Sequence, residues 1–205
     1  PLPTLPDRRF AMTAHEVPTA RFAETREFLH HIRSRVGKVV VGQDVVVERV
    51  LFALLTSGHL LLQGVPGLAK TLLVAAVSKT VDLAFARIQF TIDLLPSDIV
   101  GSEILDQKTH EFRTHKGPIF TDLLLVDEIN RMPPRTQAAL LEAMEERQVT
   151  IGGGGHQLSP SFTTLATQNP VEFEGTYPLP EAELDRFFVK IRLDYPDAGA
   201  KEEEA

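Results

Sequence analysis

The sequence predicts a three-layer α/β/α domain built on a mainly parallel sheet. Three observations carry that prediction. Short apolar runs alternate with segments of helical period along most of the chain. The runs are continuously hydrophobic rather than alternating, as strands covered on both faces are. The first of them, His59-Leu60-Leu61-Leu62-Gln63, feeds a glycine-rich turn that opens a helix, Gly64-Val65-Pro66-Gly67-Leu68-Ala69-Lys70-Thr71.

The elements follow in order. Residues 1–20 are rich in proline and lack an apolar period, so they read as a flexible tail. Residues 21–36 place Phe22, Phe28, Leu29, Ile32 and Val36 near one helical face, and Gly37 stops the helix. A second helix spans 44–57, with Asp44 as N-cap and Gly58 just past its end. Strands are expected over 59–63, 84–91, 121–126, 161–167 and 188–192, and helices over 71–81 and 134–147. A ligand belongs at the carboxyl ends of such strands. Two segments interrupt the alternation. Residues 94–120 are polar and turn-prone, with the apolar pieces Ile99-Val100-Gly101 and Glu103-Ile104-Leu105. Residues 148–158 read as a hairpin, Val149-Thr150-Ile151 and His156-Gln157-Leu158 around Gly152-Gly153-Gly154-Gly155, and four glycines at the tip imply mobility.

Composition narrows the function classes. The 205 residues fit one domain, and 43% hydrophobic content supports a core. With no cysteine there is neither a disulfide framework nor a thiolate zinc site. No apolar run approaches the about 20 residues that span a bilayer. No signal-peptide layout opens the chain, and the expected location is cytoplasmic. The formal net charge of −7 and the lack of a basic run argue against nucleic acid as the partner.

The turn at 64–71 follows the pattern G-x-x-x-x-G-K-[ST], in which a nest of backbone N–H groups cradles nucleotide phosphates. Lys70 is placed to reach the β- and γ-phosphates and the Thr71 hydroxyl to ligate Mg²⁺. The helix that follows aims the positive end of its dipole at the same anion. Ala69 stands where glycine is usual. It opens the helix, where a methyl group is tolerated, and Pro66-Gly67 supplies the turn.

Leu123-Leu124-Leu125-Val126-Asp127-Glu128 is an apolar strand ending in two carboxylates. The first suits Mg²⁺, directly or through water, and the second suits a general base for the attacking water. A strand running into an acidic helix cap has the same wording. The order of the two motifs favours the nucleotide reading. Thr167-Gln168-Asn169-Pro170 follows another apolar strand. Its amide suits orienting water or touching the γ-phosphate, although taken alone the segment reads first as an Asn-Pro turn. Leu184-Asp185-Arg186-Phe187-Phe188 places an arginine between a helix and the last strand. It is either a group that stabilises charge on a neighbouring subunit's nucleotide or a surface arginine paired with Asp185 or Glu183. Arg131 and Arg135 read most simply as a solvated helix start. His30 and His31 are adjacent on one helix and cannot share a face. No metal site stands out beyond the Mg²⁺ that accompanies ATP.

Taken together, these residues resemble the MoxR family of AAA+ ATPases. The likeness rests on Val40-Val41-Gly42-Gln43 and on residues 64–71, 123–130, 133–137, 140–150, 166–170 and 175–187, and it covers roughly residues 21–197. It implies a P-loop NTPase core over 21–194, with a five-stranded sheet of order 5-1-4-3-2. Residues 94–120 would form a helix-2 insert, and 148–158 a pre-sensor-1 β-hairpin. Gly42 and Gln43 would lie near the adenine. Val41 and Leu72 complete a nucleotide-binding set with Gly64, Val65, Pro66, Gly67, Leu68, Ala69, Lys70 and Thr71. Asn169 would take the sensor-1 role and Arg186 the arginine-finger role.

Family likeness further implies ATP or ADP with Mg²⁺, hexameric rings, and a protein substrate, among them proteins with a von Willebrand factor A domain. The work would be chaperone-like remodelling, maturation or metal insertion. AAA+ proteins carry a helical lid after the core, with a sensor-2 arginine. Residues 195–205 look like only the start of one and offer no such arginine. Weakened nucleotide affinity, ring assembly and turnover are therefore expected of this 205-residue chain. Two other functions compete: a nucleotide-binding interaction module with little turnover, and a nucleic-acid motor, which the acidic balance disfavours.

Overall fold

The computed structural model describes residues 19–40, 44–64, 70–91, 93–169 and 175–193. Helices α1 (Thr19–Gly37) and α2 (Asp44–Thr56) precede β1 (Leu60–Gly64) and α3 (Lys70–Thr80). Then come β2 (Phe85–Ile88), α4 (Pro96–Val100), β3 (Gly101–Asp106), β4 (Glu111–Lys116) and β5 (Leu123–Val126). The chain continues through α5 (Pro134–Glu146), β6 (Gln148–Ile151), β7 (Gly154–Gln157), β8 (Thr163–Gln168), α6 (Glu181–Leu184) and β9 (Val189–Leu193).

Five strands form one parallel sheet in the order β2-β5-β8-β1-β9. Renumbered by their place among the core strands, this is the expected 5-1-4-3-2. Side-chain alternation divides the core into two layers. Leu60 and Leu62 of β1 join Leu123, Leu125 and Leu165 beneath α1, α2 and α3, with Leu73, Val74 and Val77. Leu61, Leu124, Val126 and Ala166 face the other way, onto Leu140, Leu141 and Met144 of α5. Strand β5 is buried throughout because it has a neighbour on each edge and a helix layer on each face. Strand β2 is a sheet edge. It is only partly buried and is shorter than its apolar run.

Several local expectations need adjustment. Ile32 and Val36 of α1 are buried, but Phe28 is 55% exposed and lies off the packed stripe. Residues 94–120 hold a short helix and an antiparallel hairpin, with Gly101 paired to Lys116 and Asp106 to Glu111. A Cβ at Gly101, whose φ is +102°, would sit 2.2 Å from the His115 carbonyl oxygen. In the second hairpin only Gly152 and Gly153 form the turn. Gly154 and Gly155 are strand residues opposite Ile151 and Thr150, so the glycine-rich tip is half the expected length. Among the described residues no helix is long and apolar enough to cross a membrane.

Candidate nucleotide site

The carboxyl ends of β1, β5 and β8 bring Lys70, Thr71, Asp127, Glu128 and Asn169 to one edge of the sheet. Strand β1 ends at Gly64 and α3 begins at Lys70. Val65, Pro66, Gly67, Leu68 and Ala69 lie outside the described residues, as do Val41, Gly42 and Gln43. Lys70 Nζ donates to the Gly64 carbonyl oxygen at 3.0 Å, spanning the two ends of the glycine-rich turn. Burial pushes the Lys70 ammonium below the ordinary lysine range, and the charges of Asp127 and Glu128 pull it partly back. A half-buried lysine facing two carboxylates is a cation held ready for an anion. Thr71 stands in the first turn of α3, and Leu72 is half-exposed beside it.

At the end of β5 the Asp127 N–H continues the ladder by donating to Ile88 O at 2.9 Å. The chain then breaks sharply. Glu128 takes the left-handed conformation, φ 54° and ψ 53°, and a 3-10 turn follows over Ile129–Arg131. A non-glycine residue there stores strain, which collects at functional sites. Three residues, Thr167, Gln137 and Tyr177, hold the turn. The Glu128 N–H donates to Thr167 Oγ1 on the neighbouring strand at 2.9 Å. Buried Gln137 donates through Nε2 to Ile129 O at 2.8 Å and to Tyr177 O at 3.0 Å. The Tyr177 N–H donates to Asn130 O.

Both carboxylates carry an arginine. Asp127 Oδ2 lies 2.6 Å from Arg87 Nε, and Glu128 Oε2 lies 3.5 Å from Arg131 Nη1. Asn169 is buried just past the end of β8. Beside it Gln63 Nε2 donates to Gln168 Oε1 at 2.8 Å, tying the ends of β1 and β8 together.

Arg186 is not with them. It precedes β9, whose Val189 pairs with Leu60 at the start of β1. The separation from the carboxyl edge is roughly 13 Å of strand. Its Nη1 bonds Leu141 O at 2.8 Å and Glu145 Oε2 at 2.8 Å. Its partners are thus on α5, and neither Asp185 nor Glu183 is its salt-bridge acceptor. Arg135 is exposed at the start of α5. A separate groove of about 590 Å³ between α1 and α2 holds none of these groups.

The donors present fit Mg²⁺. Among the described residues there is no cluster of three or more His, Cys, Asp or Glu that would form an all-protein cage. Mg²⁺ is commonly held by one or two carboxylates together with substrate phosphates and water. Asp127 and Thr71 are the hard-oxygen residues that would hold it.

No sequence motif assigns a role to Arg87, Thr167, Gln63 or Gln137. Gln137 lay within the family-like stretch at 133–137, but its bonds to backbone carbonyls leave no pattern. An arginine in an otherwise apolar strand was the one available signal for Arg87.

A parallel sheet between helical layers, with a glycine-rich turn, lysine and acidic pair at its carboxyl edge, defines a P-loop nucleotide-binding fold. The profile of the ATPase family associated with various cellular activities (AAA) matches residues 59–189. The chain belongs to that family, in its MoxR branch. It is 47% identical over 201 residues to Chaperone MoxR1 of Mycobacterium tuberculosis, covering 97% of this chain and 53% of that protein. Over 161 residues it is 54% identical to the uncharacterized protein YeaC of Bacillus subtilis, covering 78% of this chain and 50% of that one. A crystal structure of a Cytophaga hutchinsonii protein assigned as an ATPase matches with a TM-score of 0.72 and 51% identity, over 88% of this chain and 57% of that one. The chain therefore spans about half the length of these relatives.

Proposed function

We propose that this chain binds ATP with Mg²⁺ and hydrolyses it, and that turnover drives remodelling of a partner protein. The observation that supports this best is the convergence of Lys70, Asp127, Glu128 and Asn169 at one sheet edge, with Glu128 braced in a left-handed turn. Lys70 and the backbone of 64–71 bind the phosphates. Thr71 and Asp127 hold the metal, which when bound neutralises phosphate charge. Glu128 takes the proton of the attacking water and Asn169 orients that water. Arg186, on the far side of the sheet from its own site, would act on the nucleotide of an adjacent copy in a hexameric ring. The chaperone naming of one relative supports a protein substrate. A von Willebrand factor A domain partner, metal insertion as the task, and a cytoplasmic setting belong to the same proposal.

A second reading, an interaction module with little turnover, is favoured by the ion pairs that occupy Glu128 and Arg186 in the isolated chain. Phosphate release measured beside nucleotide binding separates the two. Release that saturates with the binding curve supports the enzyme, and binding without release supports the module.

A further inference from the structure

We propose that Arg87 is a positioning residue, holding the Asp127 carboxylate in the orientation that receives Mg²⁺; this rests on the ATP reading above. Arg87 pairs in register with Leu125 of β5. Leu125 packs on the α3 side of the sheet. Asp127 lies two residues beyond Leu125 and so projects toward the same side. Both side chains therefore occupy the face that carries Lys70 and Thr71. The Asp127 backbone is pinned to the strand of Arg87 through Ile88 O, and its carboxylate is pinned through Arg87 Nε at 2.6 Å. That contact takes Oδ2 and leaves Oδ1 to face a metal or its water.

The geometry does not serve folding in any large measure. Arg87 is 41% exposed on an edge strand, where ion pairs contribute little. It does serve a metal that tolerates little deviation from octahedral geometry, because a carboxylate fixed by an outer hydrogen bond presents one oxygen in one direction. Lys70 donates to Gly64 O, and the side-chain donor bonded to the Asp127 carboxylate is Arg87.

The test uses the 205-residue chain and its Arg87→Ala and Arg87→Lys variants. Binding of a fluorescent ADP is measured in EDTA, and Mn²⁺ binding to the protein–ADP complex is followed by electron paramagnetic resonance. Arg87→Ala should weaken Mn²⁺ binding by about 10-fold, the low end for losing a bond to a metal ligand. Arg87→Lys should restore part of it, and ADP affinity in EDTA should stay within about twofold, since no direct phosphate contact is lost. Unchanged or tighter Mn²⁺ binding overturns the inference, the latter because Arg87 would then be competing with the metal. An equal loss of ADP affinity in EDTA also overturns it, by showing that Arg87 touches phosphate. Failure of the wild-type chain to bind ADP with or without metal overturns the ATP reading itself and this inference with it.

Discussion

Acidification should destabilise the protein through His59. This histidine sits at the head of β1, buried against Phe162. Its Nδ1 accepts the Thr164 N–H at 3.0 Å, so it cannot carry a proton, and its Nε2–H donates to Met144 O at 3.2 Å. Burial lowers its pKa from 6.5 to about 4, opposed by the Met144 bond and reinforced by Arg147. As pH falls below 6.5 the unfolded chain takes up a proton that the folded chain refuses. Stability from neutral His59 is complete above pH 6.5 and is lost progressively toward pH 4. The loss reaches about 2 kcal/mol at pH 5, with a ceiling of about 3.4 kcal/mol below both values. With no tryptophan, urea unfolding is best followed by far-ultraviolet circular dichroism. Between pH 7.5 and pH 5 the wild type should lose about 2 kcal/mol more than His59→Gln or His59→Asn, because groups that titrate in all three cancel. Equal losses would show that His59 takes up its proton in the folded state, and the argument from its two backbone bonds would fail.

Two further substitutions probe the scaffold and the site. Gly101→Ala drives a methyl group into the His115 carbonyl at a left-handed φ. It should cost at least about 1–2 kcal/mol of stability in denaturant titration, whereas a neutral result would mean that the first hairpin can repack. Thr167→Val removes the acceptor for the Glu128 N–H. It should cost about 1–3 kcal/mol and lower kcat with little change in nucleotide affinity, and a fall in affinity alone would mean that Thr167 acts on the nucleotide instead.

The places of the core strands along the chain were legible because buried parallel strands write themselves as runs such as Leu123-Leu124-Leu125-Val126, whereas their order in the sheet was implied by the family resemblance alone. The positions of Lys70, Asp127, Glu128 and Asn169 at one edge followed from where those runs stop. The hairpin β3–β4 was illegible for a physical reason. Strand β4 is exposed on both faces, so no alternation marks it. Its approach to β3 depends on the missing side chains of Gly101 and Gly117, whose Cβ atoms would each lie 2.2 Å from a carbonyl oxygen. The same limit hid the supports of the site. Thr167, Gln137 and Arg87 act through single hydrogen bonds to residues far away in the chain. Arg186 found its partner, Glu145, on a different helix from the one its neighbours suggested.

The central claim is that the carboxyl edge of the sheet binds ATP and that Glu128 activates the attacking water. It is tested most directly by nucleotide binding and phosphate release measured side by side in the wild type and Glu128→Gln. The account predicts ATP affinity within a few fold of wild type and phosphate release lower by about 10²–10⁴-fold, the contribution of a positioned general base. Release at the wild-type rate would contradict it and remove Glu128 from the chemistry.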